Sequence, residues 1–165
     1  MKKVYVGNSN IEGFGLFAKR DIKREEIVFI MKGRRIKMNE SNKRKLLALP
    51  NIMGIDRGWW IDPAKPYVYA NHSCNPNMGV KGKVTFVALR NIKKDEELTF
   101  DYSISEDTSW TMKCFCGSAR CRGVVRGTRY LPEEYFKDYY PFFPTYFKKI
   151  YLKCHKNLIE AGFRW

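Results

Sequence analysis

Along the first two thirds of this 165-residue chain, short apolar runs recur and none grows long. They are "KKVYV" (residues 2–6), "GLFA" (Gly15 to Ala18), "IVFIM" (Ile27 to Met31), "VTFVAL" (Val84 to Leu89) and "ELTFDY" (Glu97 to Tyr102). Each is rich in β-branched or aromatic residues, and Gly, Asn or charged turns close it, so the pattern predicts several short strands. In the last run, alternation puts Leu98, Phe100 and Tyr102 on one face. "GIDRGWWID" reads as a hairpin turning at Asp56–Gly58. One helix fits between Asn39 and Leu49, stopped by Pro50. "RDIKREEI" (Arg20 to Ile27) is echoed by "RNIKKDEEL" (Arg90 to Leu98), which suggests one strand–charged turn–strand unit used twice rather than a repeat array.

After Gly127 the character changes. The stretch from Tyr130 to Trp165 holds 12 of the 25 aromatic residues, so it must bury rings or present them to a partner. Pro132, Glu133 and Glu134 open a helix that Pro141 should end, because proline suits the first turn and acids suit its positive dipole end. A second helix is expected from Thr145, with Phe147, Ile150, Tyr151, Cys154 and Leu158 on one face and Gly162 just past its end. The favoured reading is an aromatic helical clamp on the β core. The alternative is a partner surface or dimer interface.

The length fits one compact domain, and a hydrophobic content of 44% argues for a folded core. No apolar run approaches the ~20 residues that cross a bilayer. The start, "MKKVYVGNSN", lacks the apolar segment of a signal peptide, so an intracellular chain without membrane contact is expected. The formal net charge of +14 reads equally as solubility or as attraction to a polyanion. Its densest part, Lys32 to Lys45, carries seven Lys or Arg against one Glu. With no aromatics between the charges, it reads as a surface for phosphates rather than for stacked bases.

Five cysteines in such a chain point to metal or free thiols more than to disulfides. Cys114-x-Cys116-x4-Cys121 supplies three of the four ligands that tetrahedral zinc requires. Cys74, in a turn-rich loop, and Cys154, on an apolar helix face, are both candidates for the fourth, and ligand sites favour loops. Cys74 lies within "NHSCNPN", Asn71 to Asn77, two residues from His72. A Cys–His hydrolase pair is the weaker reading there, because residues two apart in a proline-bearing turn rarely meet in catalytic geometry. Gly13 and Gly15, flanking Phe14, allow backbone to approach a ligand closely. The third glycine and the preceding strand of a dinucleotide fold are missing, which argues against a nicotinamide enzyme.

Taken in order, E-G-F-G, N-H-S-C-N-P-N, D-E-E-L-T-F-D-Y and C-F-C-G-S-A-R-C-R-G closely resemble the SET-domain protein-lysine methyltransferases with their post-SET zinc motif, over roughly residues 3 to 125. The resemblance implies a mainly β SET-domain fold of small curved β-sheets with a C-terminal pseudoknot, over residues 1–113. A post-SET zinc motif, 114–125, and a short α-helical extension, 126–165, would follow. The implied reaction transfers methyl from S-adenosylmethionine to the ε-amine of a lysine in a protein substrate. Gly13, Phe14, Gly15, Asn71 and His72 would contact the cofactor, and Phe115 would pack on its adenine. Cys74 would join Cys114, Cys116 and Cys121 on one zinc ion. Tyr102 would be the catalytic tyrosine, and Phe100, which lacks a hydroxyl, would line the lysine channel and favour di- or trimethylation.

Two stretches depart from the family pattern. "MKG" puts Met31 where the family often has the tyrosine of Tyr-x-Gly, and "VYA" (Val68 to Ala70) replaces Arg-Phe-Ile. The implied partners are a histone or another basic, nucleic-acid-associated protein, nucleic acid through Lys32 to Lys45, and a second copy through the extension. The compartment would be cytoplasmic or nuclear, or a host's if an intracellular organism secretes the chain. A non-catalytic zinc-containing module that binds nucleic acid or chromatin is the alternative, and it leaves Gly13, Gly15, Asn71, His72 and Tyr102 unexplained.

Overall fold

All but one of the short apolar runs become strands. The computed structural model describes residues 3–164; Lys2 of the first run and Trp165 of the aromatic tail lie outside them. β1 (Val4–Asn8) pairs with β2 (Phe14–Ala18). β3 (Ile27–Ile30), β7 (Met78–Lys81) and β8 (Thr85–Ala88) form a sheet with β8 in the centre. β4 (Gly33–Lys37), β5 (Met53–Asp56) and β6 (Trp59–Pro63) form another with β6 in the centre. β9 (Thr111–Lys113) and β10 (Val124–Arg126) make a last hairpin. Every pair is antiparallel. The β5–β6 hairpin turns where expected, with Gly58 at φ +66°, a left-handed value that costs glycine little. The helix expected between Asn39 and Leu49 is present as a shorter α1 (Lys43–Leu47).

The exception is "ELTFDY", which is not a strand. It makes only isolated bridges, Glu97 with Phe17 and Phe100 with His72, and from Tyr102 to Ser105 it winds into a 3₁₀ turn. The cause is that its hydrogen bonds are divided between two flanks. Leu98 N–H donates to the Leu16 carbonyl on one side, while Phe100 N–H donates to Asn71 and the Thr99 carbonyl accepts from Met78 on the other. Enclosed this way, Leu98 to Asp101 are all buried, so the one-sided alternation expected of a surface strand is lost.

The sequence echo is a structural one. Ile22 and Ile92 exchange both backbone hydrogen bonds. Around that pair each contact recurs 70 positions later. Arg20 grips Glu26 as Arg90 grips Glu96; Lys23 N–H caps Glu26 as Lys93 N–H caps Glu96. Glu25 and Asp95 take the same left-handed φ, +66° and +65°. The two turns also cross-cap, since Lys94 N–H donates to Asp21 and Arg24 N–H to Asn91. Arg20, with Lys3, holds the Glu26 carboxyl down to about 2. This local two-fold sets β2 against the segment that leads into Leu98, and so fixes where Tyr102 emerges.

The C-terminal region closes the structure as a clamp. α2 (Glu133–Tyr139) and α3 (Thr145–Cys154) bury Phe136, Tyr139, Phe147 and Tyr151, and Phe136 stacks on Tyr151 at 4.3 Å between ring centroids. The second helix is broken, contrary to the expectation of one run from Thr145. His155 leaves helical geometry at φ −123° and ψ 70°, its ring stacked 4.0 Å from that of Tyr151, and α4 (Lys156–Glu160) begins anew. The break turns Cys154 outward, so it is exposed rather than on the apolar face. Among the described residues of the extension, Tyr130 is the one large hydrophobic that stands exposed, at 63%. No helix among the described residues is long and apolar enough to cross a membrane.

Two glycines set how closely the clamp docks. A Cβ on Gly79 of β7 would lie 2.6 Å from the Phe142 carbonyl oxygen, and one on Gly54 of β5 would lie 2.5 Å from that of Ser105 and 2.7 Å from the Phe147 ring. Val80 N–H donates to the same Phe142 carbonyl. Gly79→Ala is therefore expected to destabilise the protein by about 1–3 kcal/mol, the cost of overpacking a tight contact. Urea unfolding reads this directly, and an unchanged midpoint would mean that the extension does not bear on β7.

Candidate active site and metal centre

The run Asn71 to Asn77 leaves a 3₁₀ turn, Tyr67–Tyr69, and crosses beside the 97–102 segment. Its residues face separate ways. Asn71 Nδ2 lies 2.9 Å from Glu97 Oε1, 3.1 Å from Ser9 Oγ and 3.1 Å from the Phe14 carbonyl oxygen. Ser9 Oγ donates to the same carboxylate at 2.8 Å. Gly15 makes this knot feasible, because a Cβ there would lie 2.5 Å from Glu97 Oε1. Gly13 sits at φ +47° with open space where a side chain would be, and Phe14 is 56% exposed. The structure brings Asn71 together with the Gly13–Gly15 turn, as expected of residues sharing a site, and adds Ser9 and Glu97, which carry no local signal in the sequence.

His72 is buried. Its Nδ1 accepts the Tyr102 backbone N–H at 3.1 Å, so the ring proton belongs on Nε2, 3.3 Å from Cys74 Sγ. Burial, opposed by Asp101 and aided by Arg122, lowers its pKa to about 4, so the imidazole is neutral at neutral pH. It acts as a spacer between the thiol loop and the tyrosine. It is not positioned as a general base, because its acceptor nitrogen is already occupied.

Tyr102 donates its hydroxyl to the Ala70 carbonyl at 3.0 Å. Burial, and then the Glu97 charge, raise its pKa above the ordinary phenol value, so it stays protonated with a lone pair free to accept. It faces a cavity of about 520 Å³ lined by Met31, Met53, Tyr67, Phe100 and Trp110 among others. Phe100 and Tyr102 lie 4.9 Å apart between ring centroids. Met31, at the position where a tyrosine was to be expected, is buried in that lining and brings no hydroxyl.

The thiols meet behind this cavity. Ligand atoms of His72, Cys74, Cys114 and Cys116 all lie within 4.8 Å of one another. Cys74 and Cys114 sulfurs are 3.8 Å apart, which matches the edge of a tetrahedron with zinc–sulfur bonds near 2.3 Å, about 3.8 Å. Cys121 sits at the rim: it is exposed, its thiol is 3.5 Å from the Cys114 carbonyl, and it neighbours the Cys114 and Cys116 thiols. Three clustered thiols, with the His72 imidazole among them and the Cys121 thiol at the rim, make a donor set that fits zinc. Burial pushes the Cys116 thiol up, but the Cys74 and Ser118 N–H groups and neighbouring thiols outweigh it and bring it to about 7. Cys154 lies apart, near Arg129 at 3.7 Å. Phe115, between two of the clustered thiols, is 80% exposed.

Arg122 ties the two halves together, and sequence reasoning passed over it. Its backbone N–H and Nε lie 3.4 and 3.3 Å from Cys74 Sγ, while its Nη2 holds both oxygens of Asp101 at 2.8 and 2.7 Å. Asp101, fully buried, also accepts from Ser103 N–H and the Tyr139 hydroxyl, each at 2.9 Å.

Comparison with known proteins accounts for this arrangement. The SET domain family matches residues 13–103. The histone-lysine N-methyltransferase ATX2 of Arabidopsis thaliana is 35% identical over 147 residues, which is 77% of this chain and 13% of that protein. The histone-lysine N-methyltransferase 2D of Homo sapiens is 31% identical over 138 residues, 72% of this chain and 2% of that protein. The chain thus spans about an eighth or less of these relatives. Among solved structures, a humanized mutant of the Chaetomium thermophilum Polycomb Repressive Complex 2 bound to the inhibitor GSK126 aligns at a TM-score of 0.55 with 29% identity. That alignment covers 63% of this chain and 15% of that one. With its small antiparallel sheets, its buried 97–102 segment and its cysteine cluster beside Tyr102, this chain belongs to the SET-domain family.

Proposed function

We propose that the chain is a protein-lysine N-methyltransferase that uses S-adenosylmethionine. The observation that carries this reading is Tyr102, a protonated phenol at the wall of a cavity, its hydroxyl on the Ala70 carbonyl one residue before Asn71, which itself reaches the Phe14 carbonyl of the Gly13–Gly15 turn. When bound, S-adenosylmethionine supplies an electrophilic methyl group on a positively charged sulfur. The residues to hold it are Gly13, Phe14, Gly15, Asn71 and His72, with Phe115 over its adenine.

The rest of the chemistry falls to the protein. A lysine amine, with a pKa near ~10.4, is mostly protonated in neutral water and cannot act as a nucleophile in that state. Met31, Met53, Phe100 and Trp110 in the lining disfavour the ammonium, against the Glu106 carboxyl in the same cavity, and a proton leaves to water before transfer. The Tyr102 oxygen and nearby carbonyls then orient the amine, and orientation can supply much of the acceleration. Phe100 leaves room for added methyls, which favours di- or trimethylation. A zinc ion on Cys74, Cys114, Cys116 and Cys121 would staple Phe115 beside the pocket, so metal binding and site formation become one event.

The substrate is proposed to be a histone or another basic protein that lies on nucleic acid, in the nucleus or cytoplasm. Support comes from the relatives' names and from surface charge. Lys32, Arg34, Arg35, Lys37, Lys43, Arg44 and Lys45 are all exposed, and among the described residues only Arg34 is in an ion pair, with Asp62. Leu47 and Leu49, just beyond these charges, line the Tyr102 cavity. A phosphate backbone on this face would bring a bound basic protein to the cleft. A zinc-held module that only binds nucleic acid leaves the cavity and Tyr102 without a role.

Three measurements test the reading. Tyr102→Phe is expected to lower single-turnover methyl transfer by roughly 10²-fold or more with little change in melting temperature, as for loss of an electrostatic donor; undiminished labelling of a cell extract would sink the assignment. The protein as purified should contain one zinc per chain by elemental analysis. Chelation or Cys74→Ser should then abolish S-adenosylmethionine binding in calorimetry and lower the melting temperature together. Finally, duplex affinity should fall steeply with salt, and charge reversal at Arg35 and Lys43 should reduce the slope of log K against log[salt] by about two. A slope that stays the same places the contact elsewhere.

A further inference from the structure

Most polar side chains buried in the lining of the 520 Å³ cavity are already engaged. Ser105 Oγ donates to the Tyr102 carbonyl at 3.1 Å, and Glu106 Oε1 accepts the Thr108 N–H. Tyr67 is the exception. It is 8% exposed, lines the same cavity, and its hydroxyl has no hydrogen-bond partner among the described residues. Nor is that hydroxyl sealed inside protein, because among the described residues the one fully enclosed side-chain atom without a partner is Ser103 Oγ. Its free oxygen therefore has contact with open space, and the cavity is the space that Tyr67 lines. A phenol kept dry without a partner costs about 1–3 kcal/mol, so such a group is expected to meet a ligand or water.

Packing fixes where Tyr67 sits. Its ring lies 5.1 Å from that of Phe29, which stacks on Phe86 at 4.7 Å. Phe86 meets Phe100 edge-on at 5.1 Å, and Phe100 lies 4.9 Å from Tyr102. An unbroken chain of rings thus joins the two tyrosines. Both are also tied to Ala70, which donates its N–H to the Tyr67 carbonyl and accepts the Tyr102 hydroxyl. Met31, Met53 and Phe100, also in the lining, offer no comparable acceptor.

We propose that Tyr67 is a specificity-determining residue that reads how many methyl groups the target lysine already carries. This rests on the methyltransferase reading. The Tyr67 oxygen accepts an N–H from the neutral amine. An unmethylated amine has two N–H bonds and a monomethylated amine has one; a dimethylated amine has none. Tyr67 therefore favours the first transfer, while Phe100 leaves space for the later ones.

The test is single-turnover transfer to one peptide made with an unmethylated, monomethylated or dimethylated lysine, comparing wild type with Tyr67→Phe. The substitution keeps the ring and its packing, and an unchanged melting temperature checks that. Transfer to the unmethylated peptide should fall about 3- to 10-fold, the worth of one neutral hydrogen bond, while transfer to the dimethylated peptide holds. An equal fall on all three peptides, or no fall on any, overturns the proposal. If the wild type methylates none of them, the parent reading fails, and calorimetry still decides the role of Tyr67. A preference for the unmethylated peptide that disappears in Tyr67→Phe supports it, and an unaltered ratio of affinities refutes it.

Discussion

The buried ion pair between Asp101 and Arg122 is the interaction on which the site depends. The Asp101 side chain is fully buried and that of Arg122 is 11% exposed, so both charges have left water. Such a pair persists only if its remaining lone pairs and protons are satisfied. Here they are, by Tyr139, by Ser103 N–H and by Cys74. Those partners come from the clamp, the 3₁₀ turn of Tyr102 and the thiol loop. The pair therefore sets the position of the tyrosine relative to the thiol cluster, and the Arg122 guanidinium, 4.9 Å over the Tyr135 ring, draws the first helix of the clamp into the same assembly. An aspartate one residue before Tyr102 is thus a structural group, held where it cannot serve as a base.

The same economy governs the loop between Asn71 and Cys74. Four residues address the Gly13–Gly15 turn, the tyrosine and the thiols in succession. That works because His72 spends its one acceptor nitrogen on Tyr102 and its N–H toward sulfur. The apparent Cys–His pair of the sequence is real as a 3.3 Å contact, but its direction is reversed from a hydrolase. The histidine donates to sulfur and cannot accept its proton. Geometry of this kind separates a junction from a nucleophile.

Much was legible because it depends on neighbours in sequence. The strand runs, the Asp56–Gly58 turn, the start of α2 after Pro132 and the grouping of Cys114, Cys116 and Cys121 all follow from period, turn chemistry or ligand spacing. The echo at Ile22 and Ile92 was visible as text, although its two-fold geometry was not. The failures share a cause. "ELTFDY" has strand composition, but its hydrogen bonds go to two different partners, which local propensity does not record. The helix from Thr145 breaks at His155, where stacking on Tyr151 accompanies a backbone outside the helical region, and so Cys154 faces solvent.

By itself, then, the sequence determined most of the element types, the grouping of the thiols and the set of residues, from Gly13 to Tyr102, that mark the family. Only the tertiary structure decided that Glu97 reaches Asn71 across the missing side chain of Gly15, that Arg122 holds Asp101, and that Tyr67 rather than Met31 brings a hydroxyl to the cavity. These contacts join residues 21 to 82 positions apart or depend on which wall of a cavity a ring faces. The free energy that selects them comes from burying charges and rings together, which is a property of the closed fold and not of any segment within it.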